Sequence, residues 1–160
     1  MRIMKSKTIQ LLVVILVIML NSCKPQKNIS GYYSFETECL GVELDGSQTL
    51  RAWGKGKNQR DAFVQAQKNA VRDVLFKGIS KGSSECNQKP VLIEVNAQEK
   101  HQDYFFIFFE DGGKYSKFTT NTDGKIKNKF TTNNEYVVET TVRVLRNKLK
   151  NQLIKDNIIK

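Results

Sequence analysis

Apolar positions recur with three different periods along this chain. From Ile9 to Leu20 every side chain except Gln10 is apolar, a block too short to span a bilayer comfortably. Between residues 39 and 53 the period is two. Leu40, Val42 and Leu44 alternate with Cys39, Gly41 and Glu43, Asp45-Gly46 supplies a turn, and Leu50, Ala52 and Trp53 resume the extended pattern, which predicts half-buried strands joined as a β-hairpin. From Asn58 the period lengthens to that of a helix. Ala62, Phe63, Ala66, Ala70, Val71, Val74 and Leu75 share one side, with Arg60, Gln67, Lys68 and Arg72 on the other. Asn58 is a good N-cap, Asp61 sits in the positive first turn, and Gly78 ends the helix. A helix lined with alanine can lie very close to a sheet, so residues 48–79 are expected to form the spine of the domain.

Beyond the spine, residues 80–90 form a turn-rich loop carrying Cys86, and Val91 to Val95 has the make-up of a short strand. Asn96 then reads as the N-cap of a helix in which Tyr104, Phe105, Phe108 and Phe109 share a face. Asp111-Gly112-Gly113 breaks it, and Lys114 to Phe118 suits one more helical turn. Residues 119–134 predict a turn with a ragged edge strand around Ile126 to Phe130. The clearest strand is Glu135 to Val144, with Tyr136, Val138, Thr140, Val142 and Val144 facing one way. Leu145, Leu149 and Leu153 place a C-terminal amphipathic helix, whose other face is basic. The pattern predicts an α+β domain: an antiparallel sheet with a long central helix packed on one face, an aromatic-rich helix and a C-terminal helix.

The N-terminal block changes the picture of location. Arg2, Lys5 and Lys7 precede the apolar run, and Leu20-Asn21-Ser22-Cys23 follows it. This resembles a bacterial lipoprotein signal and lipobox, with Asn21 the unusual position. The resemblance implies removal of residues 1–22 and diacylation of Cys23, and two acyl chains make a stable anchor. Residues 23–34, polar and broken by Pro25 and Gly31, read as a tether, and 35–160 as a single folded domain. Lys24 and Pro25 follow Cys23 in place of an acidic run, which points to the periplasmic face of the outer membrane.

The whole chain of 160 residues has a formal charge of +10, and the first 22 residues carry three of those charges. Nearly all the remaining excess lies late: residues 23–110 hold 12 Lys/Arg and 11 Asp/Glu, whereas 111–160 hold 11 and 5. A basic last third is either a solvated face or an attraction to anionic lipid, glycan or an acidic partner. Export makes nucleic acid a poor candidate. Cys39 and Cys86 are either bridged or two buried thiols, and neither lies in a CxxC motif.

Catalytic chemistry leaves little trace in the sequence. Gly54-Lys55-Gly56 lies between a strand and a helix, but the third glycine of a dinucleotide fingerprint is replaced by Gln59, and no P-loop follows. Shaping the strand-to-helix turn is the expected role of these glycines. Lys55 and Lys57 beside the helix N-terminus, with Arg146, Lys148 and Lys150 in the basic helix, are candidate anion contacts. His101, the only histidine, lies among polar residues, and Glu36/Glu38 read as acidic surface. No catalytic residue, metal or cofactor is expected. Phe106 and Ile107 lie off the aromatic face and are candidate partner contacts.

The strand, Gly-x-Gly and the Asp61-Ala62 helix with alanines every four residues resemble small envelope lipoproteins of the Lpp-twenty type and the N-terminal domain of the flagellar assembly protein T. The later half is more similar to uncharacterised exported lipoproteins of gut Bacteroidetes. The resemblance implies a helix on an antiparallel sheet and an envelope role in binding or assembly, and supplies no catalytic residues. The leading expectation is a non-enzymatic, lipid-anchored module for a protein or anionic envelope polymer. Two alternatives stand beside it: an envelope hydrolase or thiol enzyme built from scattered residues, with His101 or Cys86 beside a carboxylate, and a secreted adhesive or virulence-type protein.

Overall fold

The structure, a computed structural model, describes residues 35–132 and 134–159. The signal segment, Cys23 and the tether lie outside the described residues. The domain is α+β. A five-stranded sheet is built from β1 (Glu38–Val42), β2 (Gln48–Gly56), β3 (Lys81–Gly82), β4 (Thr119–Thr132) and β5 (Glu135–Val144), in the spatial order β3-β1-β2-β5-β4. Neighbours run antiparallel except the two-residue β3, which pairs parallel to β1. The helices are α1 (Gln59–Phe76), α2 (Ala97–Lys100), α3 (Gln102–Phe108) and α4 (Arg146–Lys155), with a 3₁₀ turn at Lys114–Phe118.

The spine forms as the pattern predicts. Asn58 caps α1 by accepting the Asp61 backbone N–H at 2.9 Å, and Gly78, with φ +76°, donates its N–H to the Asp73 carbonyl at 2.8 Å. Ala62, Ala66, Ala70, Val71, Val74 and Leu75 are buried. Gly54 and Gly56 are not turn residues, as their position suggested. Both belong to β2 and face α1. A Cβ on Gly54 would stand 2.1 Å from the Ala62 carbonyl oxygen and 2.3 Å from the Ala66 nitrogen, and one on Gly56 would stand 2.5 Å from the Ala62 nitrogen. Glycine on the strand and alanine on the helix together set the spacing of the two layers.

The first strand is inverted relative to the expectation. Leu40 and Val42 are 43% and 39% exposed and Leu44 is fully exposed, while Cys39 is buried. The core side of β1 is taken by Cys39, whose sulfur is bridged to Cys86 with the Cα atoms 5.9 Å apart, and the register shifts between Cys39 and Gly41. Closing a loop of 47 residues removes unfolded-state entropy worth about 4 kcal/mol.

Residues 91–95 form no strand, because their donors are spent elsewhere. The Val91 and Leu92 N–H groups bond the Val74 and Leu75 carbonyls at 3.0 and 2.9 Å, acceptors that α1 itself leaves open at its end. The aromatic helix expected as one piece is two, broken at His101. Ala97 and Phe105 would point about 80° apart on a continuous helix, yet both are buried, and the break corrects their phase. Asn96 sits in the left-handed region at φ 60° and makes no side-chain cap. The expected ragged edge strand is longer than 126–130. β4 follows β5 for most of its length, with register shifts on either side of Ile126, and its Lys- and Thr-rich sequence suits a strand with one unpaired edge.

β5 is buried on both faces. Val138, Thr140, Val142 and Val144 lie on the α1 side, and Val137, Glu139 and Thr141 on the other. Glu139 is held there by Arg51 Nε at 3.3 Å and Asn128 Nδ2 at 2.5 Å. The same face carries Phe35, Trp53 and Phe130, with ring centroids 5.5 to 6.4 Å apart.

Gly54→Ala is expected to lower the unfolding free energy by about 2–3 kcal/mol, the upper range for overpacking, since the clash is with helix backbone. Lys55→Ala, one residue along on the opposite face, should cost under about 1 kcal/mol. Urea midpoints of the two variants check this, and equal midpoints would remove the close-approach argument.

Candidate functional site

The aromatic side chains are organised by α1. Phe76 near its end meets Phe105 edge-on at 4.9 Å, Phe105 contacts Phe109 at 6.3 Å, and Phe108 stacks on Phe118 at 6.0 Å. Phe105, Phe108, Phe109, Tyr115 and Phe118 are buried. The ring layer therefore continues the core past the sheet, as the shared face of Tyr104, Phe105, Phe108 and Phe109 predicted.

Along one side of this layer runs a groove of about 750 Å³. Phe76, Leu92, Phe105, Phe106 and Phe109 supply its apolar lining, while Glu94, Glu99 and Glu110 add carboxylates and Arg72 a guanidinium. The Arg72 guanidinium carbon lies 5.0 Å from the Phe109 ring centroid, a cation–π arrangement, and its Nε is buried with no hydrogen-bond partner. Phe106 is 73% and Ile107 58% exposed, so the two residues singled out as partner contacts do stand outward, with Phe106 at the groove wall. The sequence carried no signal for the groove itself, because it is formed by the loop 91–96 folding back onto α1.

A half-buried hydrogen bond fixes α3 against the segment after α4. The Tyr104 hydroxyl donates to Asp156 Oδ2 at 2.7 Å, Gln152 Nε2 donates to Oδ1 at 2.8 Å, and Lys114 Nζ stands 3.4 Å away. Burial, and then the anionic acceptor, raise the Tyr104 pKa. The same hydroxyl is the main cause of the lowered Asp156 pKa. The contact stabilises the fold across neutral pH. It weakens as pH falls through the ordinary carboxylate range and below, or rises above the ordinary phenol range.

The candidate anion contacts are not brought together. Lys55 pairs across the sheet with Val137 and Gln48 with Val144, so Lys55 and Lys57 lie at one end of β2 and the start of α4 at the other, about 23 Å away along the strand. The positive end of α1 is already filled by Asn58 and Asp61, whose side chains bond at 2.8 Å, and Lys55 Nζ lies 5.1 Å from the Phe35 ring centroid. Arg146 is half-buried: its Nη2 donates to the Lys89 carbonyl at 2.9 Å, and burial lowers its pKa. Lys148 and Lys150 remain exposed.

Cys86 has no free thiol, since its sulfur is in the bridge to Cys39. His101 lies at the α2–α3 break. Among the described residues no group of three His, Cys, Asp or Glu is placed to hold a metal ion. Fold and site together define a helix-backed α+β domain with a lateral aromatic groove. Compared with protein-family models, with curated proteins and with solved structures, the chain matches none.

Tyr104→Phe should raise the Asp156 pKa back toward that of an ordinary carboxylate, read by carbonyl NMR titration. An unmoved titration would show that Gln152 and Lys114 alone hold the carboxylate down.

Proposed function

We propose that this chain is a non-enzymatic, lipid-anchored cell-envelope module, held through acylated Cys23 at the periplasmic face of the outer membrane, that binds a protein segment in the aromatic groove. The observation that carries the reading is the 73% exposure of Phe106 at the wall of a groove that also holds the buried Phe105 and Phe109 rings. An exposed aromatic beside a preformed cleft of mixed aromatic and polar lining has the make-up of an interface anchor. The carboxylates of Glu99 and Glu110 at the groove, beside a Glu94 already paired with Lys100, favour a segment with basic residues flanking an apolar one. The lipobox resemblance supports the anchor, and the resemblance to small envelope lipoproteins is consistent with a binding or assembly role.

The test pairs location with contact. Cys23→Ser should turn a membrane-pelleting chain into a soluble one. A photo-reactive residue at position 106 of the otherwise native chain should crosslink a discrete envelope protein, and the same residue at Lys81 should not. Against that partner, Phe106→Ala should weaken binding about 30-fold, the effect of losing an interface anchor of ~2 kcal/mol. A Cys23→Ser chain that still pellets at about 1 M salt, where charge attraction is screened, removes the anchor, and unchanged affinity on Phe106→Ala removes the groove.

A further inference from the structure

The groove leaves unexplained the opposite character of α4. Leu149 and Leu153 are fully buried on its inner side, and its outer side presents Lys148, Lys150, Asn151, Ile154 and Lys155, all exposed. Lys148, Asn151 and Lys155 form one row at helical spacing and Lys150 and Ile154 the next, so the exposed face carries three lysines and one apolar side chain, Ile154, that is 47% exposed and has Lys150 one turn before it. Among the described residues none of the three lysines has an ion pair or hydrogen bond. The nearest acid in sequence, Asp156, is taken up by Tyr104, Gln152 and Lys114. Leu44, an exposed apolar side chain at this end of the sheet, is different: it lies between Glu43 and Asp45, and Ser47 with Arg143 holds Asp45 at a pKa of about 2, ionised.

From this charge pattern we propose that the outer face of α4 docks on an anionic lipid surface, with Lys148, Lys150 and Lys155 among the headgroups and Ile154 directed toward the acyl boundary. Unpaired cations around a partly exposed aliphatic side chain complement a negatively charged bilayer. A polyanionic glycan or acidic peptide would match the lysines and leave Ile154 unused. Chain length agrees, in a step that rests on acylation of Cys23: twelve residues, 23–34, precede the domain and reach at most about 40 Å when extended. The bilayer is thus always within reach of the domain. Three lysines near such a surface favour the docked state on the order of a hundredfold.

The full chain is reconstituted through its own N-terminus into vesicles of phosphatidylcholine alone or with about 30 mol % phosphatidylglycerol. Flotation reports attachment, and amine labelling read by mass spectrometry reports lysine exposure. Labelling of Lys148, Lys150 and Lys155 should fall several-fold on anionic vesicles, with Lys57 unchanged, and should recover at about 1 M salt, where screening is nearly complete. In the triple variant Lys148→Ala, Lys150→Ala, Lys155→Ala, an amine reporter at Asn151→Lys should be labelled equally on both vesicle types. Equal labelling of the native lysines on both vesicle types overturns the docking while leaving the anchor standing. Flotation with anionic vesicles alone supports the docking and removes the anchor; flotation with neither overturns both. Protection by a soluble acidic polysaccharide and not by the anionic bilayer overturns the lipid assignment.

Discussion

The approach of α1 to β2 is the constraint on which the rest of the fold depends. Where Gly54 and Gly56 face Ala62 and Ala66, backbone meets backbone with no room for one further carbon atom. Such packing gains dispersion contacts from main-chain atoms and fixes the height of the helix over the sheet. With that height set, α1 can cover β5 as well as β2, and its last turn projects Phe76 past the sheet to meet Phe105. The carbonyls at its end then capture Val91 and Leu92, which fold the loop back into the wall of the groove. A site distant from the glycines is therefore built on the spacing they permit.

The helical period, the alanine face, the Asn58 cap and the limits of β5 were legible because each is a local property of the chain. What failed to read was set by partners remote in sequence. Leu40, Val42 and Leu44 have an ideal alternating pattern, but the inner side of β1 goes to Cys39 through its bridge to Cys86, so the larger apolar set faces outward. Residues 91–95 have strand propensity and lose it to the open carbonyls of α1. The glycines were expected to shape a turn, yet their role came from the face of a strand. The exposure of Phe106 followed from helical phase alone, whereas the groove beside it depended on a long-range fold-back that no periodicity encodes.

Charge is distributed by the same logic. Lys55, Lys57, Arg146, Lys148 and Lys150 were all candidate anion contacts, and the antiparallel pairing of β2 with β5 sends the first two and the last three to opposite ends of the sheet. Two are then used internally, Lys55 against the Phe35 ring and Arg146 on the Lys89 carbonyl. One acid near the aromatic layer is similarly committed, Asp111, which Lys68 pairs at 2.6 Å, lowering its pKa. Surface pairs of this kind contribute little stability. Their effect is to decide which charges remain available, and those include the lysines of α4.

The groove and the lysine face are joined through one hydrogen bond. Tyr104 comes from the helix that lines the groove, Asp156 closes the helix that carries the lysines, and the bond between them is 2.7 Å long and half-buried. A bond from a neutral hydroxyl to an ionised carboxylate is stronger than one between neutral groups, and here the rings of Phe105 and Phe108 pack on Tyr104 at 5.2 and 5.7 Å. Movement of α3 on filling the groove would have to carry α4 with it or break this bond. The two surfaces are thus mechanically one unit, set on a single spine, and the Asp156 carboxylate is where a change at either would be felt by the other.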